Sequence, residues 1–138
     1  MTMTAPTITA ITFDCRDVAA QSTFWSQLLD RPIEPGANEY FASIGAVHDP
    51  SAKGPTLLFL GVEGERRMVK NPVHLDLHAD DLDAAVARAV DLGAERVAHF
   101  DEYGVEWVTL RDPEGNLFDI GRPSSARDRV DPHSLHDC

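Results

Sequence analysis

Asp112-Pro113-Glu114-Gly115-Asn116, running directly into Leu117-Phe118-Asp119-Ile120, decides how the chain folds in its second half. A proline that presets φ, followed by a glycine and an asparagine that tolerate left-handed conformations, makes a tight reversal. The residues that follow alternate with period two, so Leu117 and Asp119 share one strand face while Phe118 and Ile120 share the other. The reversal thereby delivers a carboxylate to a defined face of a sheet. By position alone, Asp119 is a ligand, an acid/base group or a solvated strand residue.

Two segments of the chain open alike. Ala10-Ile11-Thr12-Phe13-Asp14-Cys15-Arg16-Asp17 is strand-like and ends at an acidic helix N-cap; the following helix pattern carries Val18, Gln21, Phe24, Trp25, Leu28 and Leu29 on one stripe. His74-Leu75-Asp76-Leu77-His78-Ala79-Asp80-Asp81 repeats the arrangement. Its helix bears Leu82, Ala85, Val86, Ala89 and Leu92 at three-four spacing and stops at Gly93. Asp80, Asp81 and Asp83 crowd the start of that helix, where the macrodipole favours negative charge.

Strand candidates follow each helix, at 31–34, 40–44 and 56–62 in the first half and at 95–99, 105–110 and 117–121 in the second, with 50–55 as a loop. Each half thus reads β-α-β-β-β. One helix leaves one sheet face uncovered, which predicts an α+β fold of two paired βαβββ modules forming a curved mixed sheet around a cavity. The modules span about residues 7–63 and 72–122, a single domain over 1–122, and Glu63-Gly64-Glu65-Arg66-Arg67 reads as an exposed linker. Residues 123–138 are polar and aperiodic and are predicted to be a disordered tail.

With 138 residues, a core forms without metal or disulfide staples. A net charge of −11 and the lack of a basic patch exclude nucleic acid and anionic membrane surfaces as partners. No apolar run approaches the roughly 20 residues of a membrane-spanning helix. The opening Met-Thr-Met-Thr-Ala-Pro has neither the basic flank nor the apolar stretch of a signal peptide, so a cytoplasmic location is expected. Cys15 and Cys138 read as free thiols, and no Gly-rich phosphate loop or Cys-x-x-Cys is present.

The paired modules, the Val73-His74-Leu75-Asp76-Leu77…Asp81-Leu82 opening, the Leu92-Gly93-Ala94 helix exit and Asp112-Pro113-Glu114-Gly115-Asn116 together resemble the vicinal oxygen chelate superfamily. This is the group of glyoxalase I, extradiol dioxygenases and bleomycin-resistance proteins. Ile11-Thr12-Phe13-Asp14-Cys15 and Phe24-Trp25…Leu28-Leu29 are most similar to its glyoxalase-like bacterial subgroup. The resemblance implies one divalent metal held by four side chains, from the first and last strands of each module. Position by position, those places are Ala10, Phe59, His74 and Asp119.

Ala10 and Phe59 offer no lone pair, which leaves two protein ligands where catalytic sites generally use at least three. The expectation is therefore no cofactor, or a weakly held divalent metal. Thr12 and Asp14 share Ala10's face on a regular strand, and Asp76 and His78 share His74's. Residues i and i+4 of a strand lie about 13 Å apart, so His74 and His78 cannot share an ion. His74, Asp119 and a carboxylate from Asp14 or Asp76 form a one-nitrogen, two-oxygen site given favourable local twist. Without metal, Asp119 orients His74 as a general base able to move protons near neutral pH.

Ala10, Thr12, Asp14, Phe59, Asp76 and Trp107 are the expected cavity residues, with Tyr40, Phe41 and Phe100 as further aromatic wall. The resemblance and the methyl and phenyl groups at two ligand places favour a protein that binds a small organic ligand without the full metal site. The alternative is a lyase- or isomerase-type enzyme using His74 and Asp119, either with a degenerate metal site or as a metal-free acid/base pair. A third reading is a partner-binding module with an acidic surface. The resemblance also implies a homodimer.

Overall fold

A computed structural model describes residues 5–46, 54–64 and 70–124. Most of the 50–55 loop and of the 63–67 linker, and the tail beyond 124, lie outside the described residues. The chain divides into two compact units, Met1–Arg66 and Arg67–Cys138.

In the first unit, β1 (Ala10–Cys15) leads into α1 (Val18–Leu29), followed by β2 (Phe41–Ile44) and β3 (Thr56–Gly61). The sheet order is β1-β3-β2, with β1 parallel and β2 antiparallel to β3. Asp17 caps α1, its side chain accepting from the Ala20 amide at 3.0 Å. Phe13 meets the helix through Trp25, ring centroids 5.6 Å apart, and stacks on Phe59 at 5.2 Å. Phe13 and Phe59 are register partners, so both lie on the sheet face that α1 covers.

The segment 31–34, expected to be a strand, makes one isolated bridge, Ile33 with Ile44, and a backbone bond from Glu34 N to Ser43 O at 2.8 Å. Pro32 lies within it on the same side as Glu34 and carries no amide hydrogen, so the ladder loses a donor there.

The second unit realises the full βαβββ plan: β4 (Asp76–His78), α2 (Leu82–Leu92), β5 (Glu95–Glu102), β6 (Val105–Arg111) and β7 (Leu117–Pro123). The order is β4-β7-β6-β5, with β4 parallel to β7 and the other pairs antiparallel. Asp81 caps α2 through the Ala84 amide at 3.1 Å, and Gly93 ends it with φ at 123°. Leu82, Val86 and Ala89 of the helix are buried, as are Val108, Leu110, Phe118 and Ile120 on one face of the sheet. Helix contacts run to β7 and β5, so this is the covered face.

The reversal between β6 and β7 is built around Asp112. Its Oδ1 accepts from the Glu114 amide at 3.0 Å and the Asn116 amide at 2.9 Å, while Asn116 Nδ2 donates to Oδ2 at 3.2 Å. Gly115 takes the left-handed φ of 91°; Asn116 does not, and contributes through its side chain instead. Asn71 fixes where β7 begins: its Oδ1 accepts from the Leu117 amide at 2.7 Å and its Nδ2 donates to Leu117 O at 3.2 Å. At the other end, β7 runs through Pro123, and Ser124 is buried with its hydroxyl on Asp101 Oδ1 at 2.6 Å. The first two residues assigned to the tail therefore belong to the fold.

Candidate functional site

Because α2 covers the Phe118/Ile120 face, the residues that alternate with them in β7, Leu117, Asp119 and Gly121, point to the opposite face of the same sheet. Register sorts that open face into rows. One row is Asp76, Asp119, Thr109 and Ala98; the next is His78, Gly121, Trp107 and Phe100. All eight line a cleft of about 910 Å³, along with His74 and Leu117.

The polar row holds the chemistry. His74 precedes β4, and its Nε2 lies 3.3 Å from Asp119 Oδ2 and 3.4 Å from Asp76 Oδ1. Thr109 donates to Asp119 Oδ1 at 2.6 Å, leaving Oδ2 for the imidazole. The Asp119 side chain is 18% exposed, His74 33% and Asp76 73%. Burial pushes the Asp119 carboxyl above the ordinary carboxylate range, and the neighbouring Asp76 carboxylate adds to this; the Thr109 hydrogen bond and the His74 charge oppose it.

These three side chains suit a divalent ion. One ligand atom from each lies within 4.8 Å of the other two. Ligand atoms on a tetrahedral ion with bonds of about 2.1 Å stand about 3.4 Å apart, close to the two His74 separations and longer than a good N–H···O bond. An imidazole with two carboxylates is a donor set for zinc, manganese or iron. Asp76 is the second carboxylate beside His74. It reaches His74 because the two side chains, two residues apart, project to the same side of the chain.

The other expected residues are distributed differently. Trp107 and Asp76 lie in the cleft, with Phe100 stacked on Trp107 at 5.0 Å. Phe59 is fully buried against Phe13 on the helix-covered face of its own sheet, which corrects its placement as a cavity wall or ligand position. The one-residue register decides this: Leu58 and Leu60, not Phe59, share the opposite face. Ala10, Thr12 and Asp14 do lie on that opposite face, with Thr12 and Asp14 exposed. Tyr40 and Phe41 are exposed rather than packed.

Thr109 and Gly121 escaped the sequence reading, although a signal was present. Once Arg111 pairs with Leu117 across the reversal, antiparallel register places Thr109 opposite Asp119 and Trp107 opposite Gly121. A Cβ at Gly121 would stand 3.0 Å from both Glu106 O and Trp107 Cβ, so the residue opposite Trp107 has to be small.

The profile of the glyoxalase-like domain matches residues 10–121. Among curated proteins, none matches the chain significantly. Several solved structures share the fold. A glyoxalase/bleomycin resistance protein/dioxygenase family enzyme from Burkholderia phytofirmans PsJN is 18% identical, covering 84% of this chain and 98% of its own, with a TM-score of 0.66. A genomically encoded fosfomycin resistance protein from Listeria monocytogenes, solved with Mn(II) and 1S,2S-dihydroxypropylphosphonic acid, is 12% identical over 94% of this chain and 98% of that one, TM-score 0.68. An antibiotic binding protein from Streptomyces sp. CB03234 is 17% identical over 88% and 99%, TM-score 0.61. With the profile spanning both units, and β4 to β7 arranged as that fold requires, the chain belongs to the glyoxalase-like domain family of the vicinal oxygen chelate superfamily.

Proposed function

We infer that this protein binds a small organic ligand in the cleft of its second unit. The observation that carries this is the juxtaposition, on one open sheet face, of a polar row (Asp76, Asp119, Thr109) and an aromatic row (Trp107, Phe100) around about 910 Å³. That volume falls in the range of small-molecule sites, which combine apolar walls with a few converging polar groups. The fold shared with the Streptomyces antibiotic binding protein supports the same reading. The test is a thermal-shift screen of a chemically diverse small-molecule library, with and without chelator. Stabilisation is expected to reach about 2.7 kcal/mol at a hundredfold excess over Kd, unchanged by chelator and lost in Trp107→Ala. No ligand-dependent shift across the library would refute it. The cytoplasmic location and homodimer expected from the sequence belong to the same proposal; a sedimentation mass of one chain would contradict the dimer.

The His74 separations favour a second reading, a lyase- or isomerase-type enzyme with a divalent ion on His74, Asp76 and Asp119. When bound, such an ion supplies Lewis-acid polarisation of a substrate oxygen. Thr109 would then hold Asp119 so that Oδ2 faces the ion, and His74 would give its Nε2 lone pair. Titration with Mn(II) or Zn(II) is expected to saturate at one ion per chain in this case, and not in His74→Ala or Asp119→Ala. A metal-free pair predicts instead that turnover, once a substrate is found, survives chelator and disappears in His74→Ala.

A further inference from the structure

Phe100 and Trp107 face each other on neighbouring strands with centroids 5.0 Å apart and planes 22° from parallel. Two rings that close cannot lie edge to edge in one plane, so they stack face to face, with the stacking direction running across the strands. The next position in this row is Gly121, and the one after it is His78. Phe100 takes one face of the indole, and the position on the other side, Gly121, has no side chain to cover the second; a Cβ there would stand 3.0 Å from Glu106 O and Trp107 Cβ. Trp107 and His78 stand on strands two spacings apart, about 9.6 Å, which accommodates one planar ring between two others. The polar row lies two residues along the same strands, about 7 Å away. Its carboxylates accept hydrogen bonds when ionised, and Thr109 already takes one oxygen of Asp119.

We propose that the ligand is a planar aromatic molecule whose ring lies over Gly121 against the face of the Trp107 indole turned away from Phe100, and whose amine or hydroxyl substituent donates to Asp119 and Asp76. Gly121 is then the specificity-determining residue, since any side chain there fills the place of the ring. The inference rests on the cleft being a ligand site, and names the class of ligand it takes.

Three probes separate the elements of the idea: 3-phenylpropylamine, 3-cyclohexylpropylamine and 4-phenylbutanoate. Binding is measured by calorimetry and by indole fluorescence excited at 295 nm in a Trp25→Phe background, where Trp107 is the remaining indole. The phenyl amine is expected to bind about three- to tenfold more tightly than its cyclohexyl counterpart, as an added aromatic contact gives. It should also exceed the carboxylate by a similar factor and change the Trp107 emission. Gly121→Ala should weaken the phenyl amine at least tenfold while circular dichroism and melting confirm the fold. Should the alanine not fold, Trp107→Leu replaces it, and is expected to remove the preference of phenyl over cyclohexyl. Equal binding of the two amines, tighter binding of the carboxylate, or an unaffected Gly121→Ala overturns the proposal while leaving a ligand cleft intact. Failure of all three probes also overturns it, and the library screen then decides separately whether the cleft binds anything.

Discussion

Thr109→Val removes one hydroxyl and keeps the shape of the side chain, so it isolates the bond to Asp119. That bond is 2.6 Å long and ends on a carboxylate that is only 18% exposed. A hydrogen bond to a charged group contributes about 1.5–3 kcal/mol, and partial access of water to Asp119 puts the expected loss at the lower end, about 1.5 kcal/mol at pH 7. With an m-value of about 2 kcal/mol/M, the urea midpoint falls by about 0.7 M with m unchanged. The sign with pH is the sharper check. The bond favours the ionised carboxyl, opposing the burial that raises its pKa. Once Asp119 is protonated, the bond joins two neutral groups and is worth roughly half as much. The gap between wild type and Thr109→Val is therefore expected to narrow as the pH falls through the carboxylate range. Thr109→Ser should restore most of the stability. A gap of the same size at pH 7 and pH 3.5 would refute the assignment of this hydroxyl to the ionised Asp119.

Asp119→Asn tests the burial itself. Because the folded-state pKa is raised, the native state takes up the proton first, and stability is gained as pH falls through that value and is absent at neutral pH. The permanently neutral amide should thus melt above wild type at pH 7, and the advantage should vanish below the unfolded carboxylate value of about 3.9. Phe59→Ala, on the helix-covered face of the first unit, should cost about 3–5 kcal/mol in unfolding free energy and leave ligand binding in the second unit's cleft unchanged. Asn71→Ala strips both backbone partners from the start of β7 and is expected to cost about 1–3 kcal/mol, with amide exchange at Leu117 accelerating first.

Much of the second unit is legible in the chain. Asp81, Gly93 and the Asp112–Asn116 reversal are local signals, each acting through bonds to residues within a few positions. Period-two alternation likewise tells which of Phe118 and Asp119 is buried. The first unit was less legible at two points. The segment 31–34 has strand character but lacks the amide donor of Pro32, and Phe59 packs on the covered face rather than at the ligand place the resemblance implies. In β3, Leu57, Leu58, Phe59 and Leu60 are all apolar, so no alternation marks the two faces.

By itself, the sequence determined the β-α-β-β-β plan of the second unit, the caps and the reversal, while the pairing of His74 with Asp119 came from the family resemblance. The plan, the caps and the reversal rest on periodicity and on bonds between near neighbours, which a chain carries wherever it is folded. Tertiary structure alone decided that Asp76 stands beside His74, that Thr109 holds one oxygen of Asp119, and that Trp107 stands opposite Gly121. Each of these depends on which residues stand opposite one another in the sheet. Register is a property of paired strands, and a shift of one residue would turn every one of those side chains to the other face.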